Sequence, residues 1–281
     1  MQMKSKKHLK ALIRKSQRIL PKKMFDKLYD ITFRSYKNFI QLFYLMKGVV
    51  LYSYLDPEKW RMVKKVYGVF PYTLVGTGGL EVTYKMAKQL NHRGIQGDFI
   101  ELGVARGGCA ALMGSAIFDS DEPKCVERKL WLFDSYEGLP APTFDDLDLS
   151  RGEGTGEHVQ FLSKGSCLGT LDEVKRLMFE VRNFPEDKVI FVKGWFQDTV
   201  PANCNKVSKI ALLRIDADWY ESTKCCLEGL YDSVVSGGVV IVDDYQSCYG
   251  CQKAVDEFIR NENLSVNIIF DGRGGGYFLK P

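Results

Sequence analysis

From Gly97 to the C-terminus the chain alternates short, almost wholly apolar runs with longer windows whose apolar positions recur at helical spacing. The runs at 98–102, 130–133, 189–192, 210–215 and 239–242 predict strands, because stretches rich in Val, Ile, Leu and Phe suit strands buried on both faces. The windows 107–119, 169–183, 222–234 and 251–261 predict helices. Strands and helices alternating in this way are the pattern of a mainly parallel α/β sheet. Two further strands, 266–270 and 277–280, flank Asp271-Gly272-Arg273-Gly274-Gly275-Gly276 and predict a closing antiparallel hairpin.

Upstream the texture is different. Leu9, Leu12, Ile13 and Leu20 are spaced for one helical face, and residues 1–60 read as helices until Asp56-Pro57 breaks the pattern. A second helix is expected over 80–90. The division this predicts is a basic helical extension, 1–66, and an α/β domain, 67–281. The interval 137–165 is too long for an idle connection. It carries Pro140, Pro142, the acids Asp145, Asp146, Asp148, Glu153 and Glu157, and the run Gly152-Glu153-Gly154-Thr155-Gly156, so it is expected to be a lid over a substrate.

Charge sharpens the division. The net charge is +4, yet residues 1–70 hold 17 Lys/Arg against 4 Asp/Glu, so the rest of the chain is acidic. No base-reading module accompanies the basic segment, which argues against a nucleic-acid partner. The apolar stretch 39–55 is interrupted by Gln41, Lys47 and Ser53, which opposes a membrane span and favours packing on the protein itself or in a homodimer. The basic first twenty residues do not read as a secretory signal, and the eight cysteines lack the spacing of a disulfide or zinc framework. Reduced thiols in the cytoplasm are the expectation.

The candidate chemistry lies where strands end. Glu101-Leu102-Gly103-Val104-Ala105-Arg106-Gly107-Gly108 is a strand, a glycine turn and a helix start, built for close approach of a ligand. Its spacing is not that of a dinucleotide fingerprint, and an acid in the turn opposes a pyrophosphate. Glu101 suits a ligand with a cationic end, such as the amino acid part of S-adenosylmethionine. Asp134, at the end of the second strand, is placed to accept from two ribose hydroxyls, or serves only as a cap. Trp195, after the third strand, would stack on adenine or pack in the core. Asp216 and Asp218 end one apolar strand, and Asp243 and Asp244 end the next. Four carboxylates at one sheet edge raise one another's pKa unless a cation is present, and hard oxygen donors favour Mg²⁺ or Mn²⁺.

With these sites in view the chain resembles the macrocin-type sugar O-methyltransferases and, more distantly, the metal-dependent catechol and caffeoyl-CoA O-methyltransferases. The resemblance runs from about Tyr67 onward. It is carried by Pro71-Tyr72-Thr73-Leu74-Val75, Glu101-Leu102-Gly103-Val104 with Gly107-Gly108, and Leu132-Phe133-Asp134-Ser135-Tyr136-Glu137-Gly138-Leu139-Pro140. Further on come Gly194-Trp195-Phe196-Gln197-Asp198-Thr199, Asp216-Ala217-Asp218-Trp219-Tyr220-Glu221-Ser222-Thr223, Gly237-Gly238 and Asp243-Asp244-Tyr245, with Ala217 where a Gly is expected.

The resemblance implies a Rossmann-like class I methyltransferase fold with a seven-stranded, mainly parallel sheet and a C-terminal antiparallel hairpin. It implies a metal on Asp216, Asp243 and Asp244, a cofactor facing Glu101, Gly103, Asp134 and Ser135, and Tyr72-Thr73 lining its pocket. The expected acceptor is a glycoside or other vicinal diol, or a catechol. Asp216 is the expected proton acceptor, with Asp218 and His158 behind it. The rival readings are a nucleotide-sugar oxidoreductase or epimerase, for which no Tyr-x-x-x-Lys pair is suitably placed, and a membrane-associated scaffold.

Overall fold

The computed structural model describes residues 38–119, 126–147 and 163–281. Contacts divide the chain between Tyr67 and Gly68. In the first unit, residues 38–52 form helix α1, which leaves Phe39, Leu42, Phe43 and Met46 exposed along one stripe. Helix α2, Pro57–Val69, begins where the sequence reading expected a stop. Proline fits the first helical turn, whose N–H has no intrahelical partner, and the Asp56 carboxylate accepts the Lys59 N–H at 2.9 Å, so Asp56-Pro57 caps a helix instead of ending one. Among the described residues no helix is long and apolar enough to cross a membrane.

The second unit is a seven-stranded sheet with helices. Its strands are β1 (Asp98–Leu102), β2 (Leu130–Asp134), β3 (Val189–Lys193), β4 (Ile210–Ile215), β5 (Val234–Val242), β6 (Ile269–Phe270) and β7 (Gly276–Leu279). They lie in the order β3-β2-β1-β4-β5-β7-β6, with β7 antiparallel to both neighbours. This is the expected Rossmann-like class I fold. Its helices are α3 (Thr77–His92), α4 (Gly108–Phe118), α5 (Leu171–Arg176), α6 (Phe196–Asn203), α7 (Tyr220–Leu230) and α8 (Tyr249–Asn261).

Burial explains the patterns. All six residues of β4 are buried, and α4 buries every residue from Gly108 to Ile117, which is why it is apolar all round. Three differences from the sequence reading have local causes. Strand β5 starts five residues early because Val234 pairs with Ile210 ahead of an irregularity near Gly237 and Gly238. Helix α5 widens into a π-helical turn, Leu177–Val181. Helix α6 holds Pro201 in its interior and was not foreseen.

The chain moves outward from β1 to β3 and then returns to β4, so β1 and β4 are adjacent while their connections run to opposite sides. Open α/β sheets bind ligands beyond the carboxyl ends of strands at such a switch.

Candidate active site

A cavity of about 200 Å³ opens at that switch point, and its wall includes, among the described residues, every site residue expected from the sequence: Tyr72, Thr73, Glu101, Gly103, Asp134, Ser135, Trp195, Asp216, Asp218, Asp243 and Asp244. The floor is fixed by contact between two strand ends. The Asp216 N–H donates to the Leu102 carbonyl at 2.8 Å and the Gly103 N–H to Phe133 at 2.9 Å. Gly103 has φ +91°, and a Cβ there would lie 1.8 Å from the Asp216 carbonyl oxygen, so the turn admits only glycine.

Glu101 lies at the β1 end of the cavity. It is buried, its Oε1 accepts from Arg214 at 3.0 Å, and its Oε2 has no partner. Burial pushes its carboxyl up to about 8 against the pull of Arg214. An unpartnered buried carboxylate oxygen in a cavity wall is costly unless a donor arrives from a ligand. Asp134 is held from the other side. Its Oδ2 accepts the N–H groups of Val104 and Ala105 at 2.7 and 2.8 Å, and its Oδ1 that of Tyr136 at 2.6 Å. These bonds fix its orientation and leave acceptor capacity, since an ionised carboxylate offers about four lone-pair sites. Trp195 is half-buried at the start of α6.

At the other end Asp216, Asp243 and Asp244 each present an oxygen within 4.8 Å of the others. The sequence reading missed the side chain that makes this crowd tolerable. Arg214, fully buried, donates to Asp216 Oδ2 at 2.9 Å and to Asp243 Oδ1 at 2.6 Å as well as to Glu101. Burial works against its charge, and Cys109 with the acids Asp243, Asp216 and Glu101 more than offset that. The signal was a lone arginine inside an apolar strand two residues before an acid, since alternation puts positions 214 and 216 on one face.

Neutralisation is only partial. Burial first, and the neighbouring acids after it, raise the Asp243 carboxyl to about 7, that of Asp218 to about 8 and that of Asp244 well above the carboxylate range, with Arg214 opposing the rise at Asp243. A dication would remove this repulsion, and three hard oxygens suit Mg²⁺ or Mn²⁺. A second close group, Asp218, Asp244 and Cys248, shares Asp244 but brings a thiol that such ions disfavour.

Asp218 has φ +56°, and among the described residues it accepts from the Cys248 thiol, at 3.9 Å. Of the expected lid, residues 148–162 and the candidate His158 lie outside the described residues. Its two ends are clasped by Leu139 N–H to Ser166 O and Gly165 N–H to Leu139 O, both 2.9 Å. Asp146 is no surface acid: it is buried and accepts the Tyr220 N–H at 2.7 Å, capping α7.

The sequence profile of the family described as macrocin O-methyltransferase (TylF) matches residues 17–279. The chain belongs to this family. The match extends well upstream of Tyr67, where the resemblance read from motifs began, so most of the N-terminal segment is part of the family pattern. A demethyldecarbamoylnovobiocin O-methyltransferase from Streptomyces niveus is 33% identical over 74% of this chain and 76% of its own length. An 8-demethyl-8-(2,3-dimethoxy-alpha-L-rhamnosyl)-tetracenomycin-C 4'-O-methyltransferase from Streptomyces olivaceus is 31% identical over 76% and 78%. The solved structure of the O-methyltransferase NovP superposes with a TM-score of 0.63 at 30% identity, covering 74% of this chain and 82% of that one. Membership makes the protein an O-methyltransferase and sets aside the oxidoreductase and scaffold readings.

Proposed function

We propose that this macrocin-family protein transfers the methyl group of S-adenosylmethionine to a hydroxyl of a sugar-containing or other vicinal-diol small molecule, with Mg²⁺ or Mn²⁺ on Asp216, Asp243 and Asp244. One observation carries the reading: a single cavity has an unpartnered buried carboxylate oxygen on Glu101 and three converging aspartates. Glu101 Oε2 is suited to the ammonium of the cofactor, Asp134 to its ribose hydroxyls, and Trp195 to its adenine. Tyr72, Thr73, Gly103 and Ser135 wall the same space. The relative named for a rhamnosyl 4' position supports a sugar hydroxyl as acceptor.

Methyl transfer from a sulfonium to oxygen is an in-line displacement, so the chain must hold sulfur, methyl and oxygen in line and provide for the departing proton. When bound, a dication polarises the acceptor hydroxyl as a Lewis acid and lowers its pKa. Asp216 has one oxygen committed to Arg214 and belongs to the close group of three aspartates. Asp216 is the proposed proton acceptor, and Asp218, whose partner among the described residues is one weak thiol donor, is the alternative.

The test uses S-adenosylmethionine labelled in its methyl group and a panel of glycosides and catechols. Transfer to a diol is expected, EDTA should abolish it, and added Mg²⁺ should restore it. Full activity after exhaustive chelation would remove the metal from the account, and no heat of S-adenosylmethionine binding in calorimetry would remove the cofactor.

A further inference from the structure

We propose that Arg214 is a positioning residue that couples the cofactor end of the cavity to its cation end, fixing one oxygen of each facing carboxylate so that the other is presented to a ligand. The inference rests on the function proposed above. It begins with register: Arg214 lies directly opposite Glu101 on β1, and Asp216 follows two residues later on the same face. On the other side Arg214 is paired with Ile241 of β5, two residues before Asp243. The topology therefore brings three acids from three adjacent strands to one guanidinium.

The contacts divide the carboxylates in a regular way. Nη1 donates to Glu101 Oε1 at 3.0 Å and to Asp216 Oδ2 at 2.9 Å, and Nη2 donates to Asp243 Oδ1 at 2.6 Å. Nε donates to Thr83 Oγ1 at 3.3 Å, anchoring the fork to α3. The remaining oxygen of Glu101 is unpartnered, and Asp216 and Asp243 both belong to the close group with Asp244. A planar guanidinium with five donors in a fixed geometry can set three carboxylate planes at once, and a lysine ammonium cannot. Arg214 is not among the residues that line the cavity, so neither ligand needs to touch it. Disturbing it must nevertheless move both ends together, whereas an arginine that only supports the fold would move neither.

The experiment is calorimetry on the full chain with two probes, Mn²⁺ and S-adenosylhomocysteine, for the parent protein, Arg214→Lys and Thr83→Val. Circular dichroism first establishes that each variant is folded. Arg214→Lys is expected to weaken both affinities 10-fold or more, within the range of losses when a side chain that orients ligands is replaced. Thr83→Val, which removes only the anchor of Nε, is expected to weaken both by a few-fold. A folded Arg214→Lys that keeps the parental affinity for either probe overturns the coupling. If Arg214→Lys does not fold, Thr83→Val decides, and parental affinities for both probes in that variant overturn it. A parent protein that fails to bind either probe sinks the proposed function and the coupling with it, whereas a parent that binds both leaves that function standing whatever the variants do.

Discussion

Asp244→Asn is expected to leave the protein folded while methyl transfer falls roughly 10²- to 10³-fold, the loss that corresponds to about 3–4 kcal/mol of transition-state stabilisation from one misplaced Lewis acid. Asp244 is the informative position because the recorded donors of Arg214 go to Glu101, Asp216, Asp243 and Thr83 and not to it. Its replacement therefore disturbs the proposed cation group without breaking the guanidinium network. In the metal-free protein its carboxyl sits well above the usual range, through burial and then Asp218, Asp216 and Asp243, so ionising it works against folding. A neutral amide avoids the cost of neutralising that carboxyl on folding. Thermal melting without metal should thus place the variant at or above the parent, and the same preparation should have lost turnover. A variant that melts lower and loses activity only in proportion to its unfolded fraction would show that Asp244 is structural.

Gly103→Ala is expected to have the largest effect on stability of any single methyl added to the sheet edge. Its Cβ would have to occupy space 1.8 Å from the Asp216 carbonyl oxygen, at φ +91°, where a side chain is already strained. Neither strand end can move aside cheaply, since β1 and β4 are tied by the Asp216 N–H to Leu102 bond at 2.8 Å. Strain at positive φ and overpacking against backbone together cost roughly 3 kcal/mol or more. For a domain of this size that lowers the melting temperature by on the order of 10 °C. Melting within about 2 °C of the parent, less than 1 kcal/mol on the same scale, would mean that the two strand ends are not in the contact described.

Much of this site was legible in the chain because its parts lie at strand ends, where an apolar run stops abruptly at an acid. Asp134, Asp216, Asp243 and Asp244 were visible for that reason, and the sheet brings all four to one cavity. What a single sequence conceals is which neighbour a buried polar group meets across strands. Arg214 sits in a fully buried strand, and beyond Asp216 two residues on, its acidic partners lie 113 residues earlier and 29 later in the chain, so no local pattern announces those two. Asp146 was read as a loop acid because its role, capping α7 from 74 residues away, is equally non-local. Local ambiguity explains the remaining differences. Asp56-Pro57 is compatible with the end of one helix or the start of the next, and only the bond to Lys59 decides between them. Pro201 hid α6, which is short enough that the interior proline falls within its last turn.

The central claim is that a cation binds beside the cofactor at the tips of β4 and β5. It is tested most directly by crystals grown with S-adenosylhomocysteine and Mn²⁺, read by anomalous scattering at the manganese edge. The account predicts one peak within ligating distance of oxygens from Asp216, Asp243 and Asp244, with the ammonium of the cofactor against Glu101. A peak held by Asp218 and Cys248 instead, or a cofactor bound with no manganese at the strand tips, would contradict it.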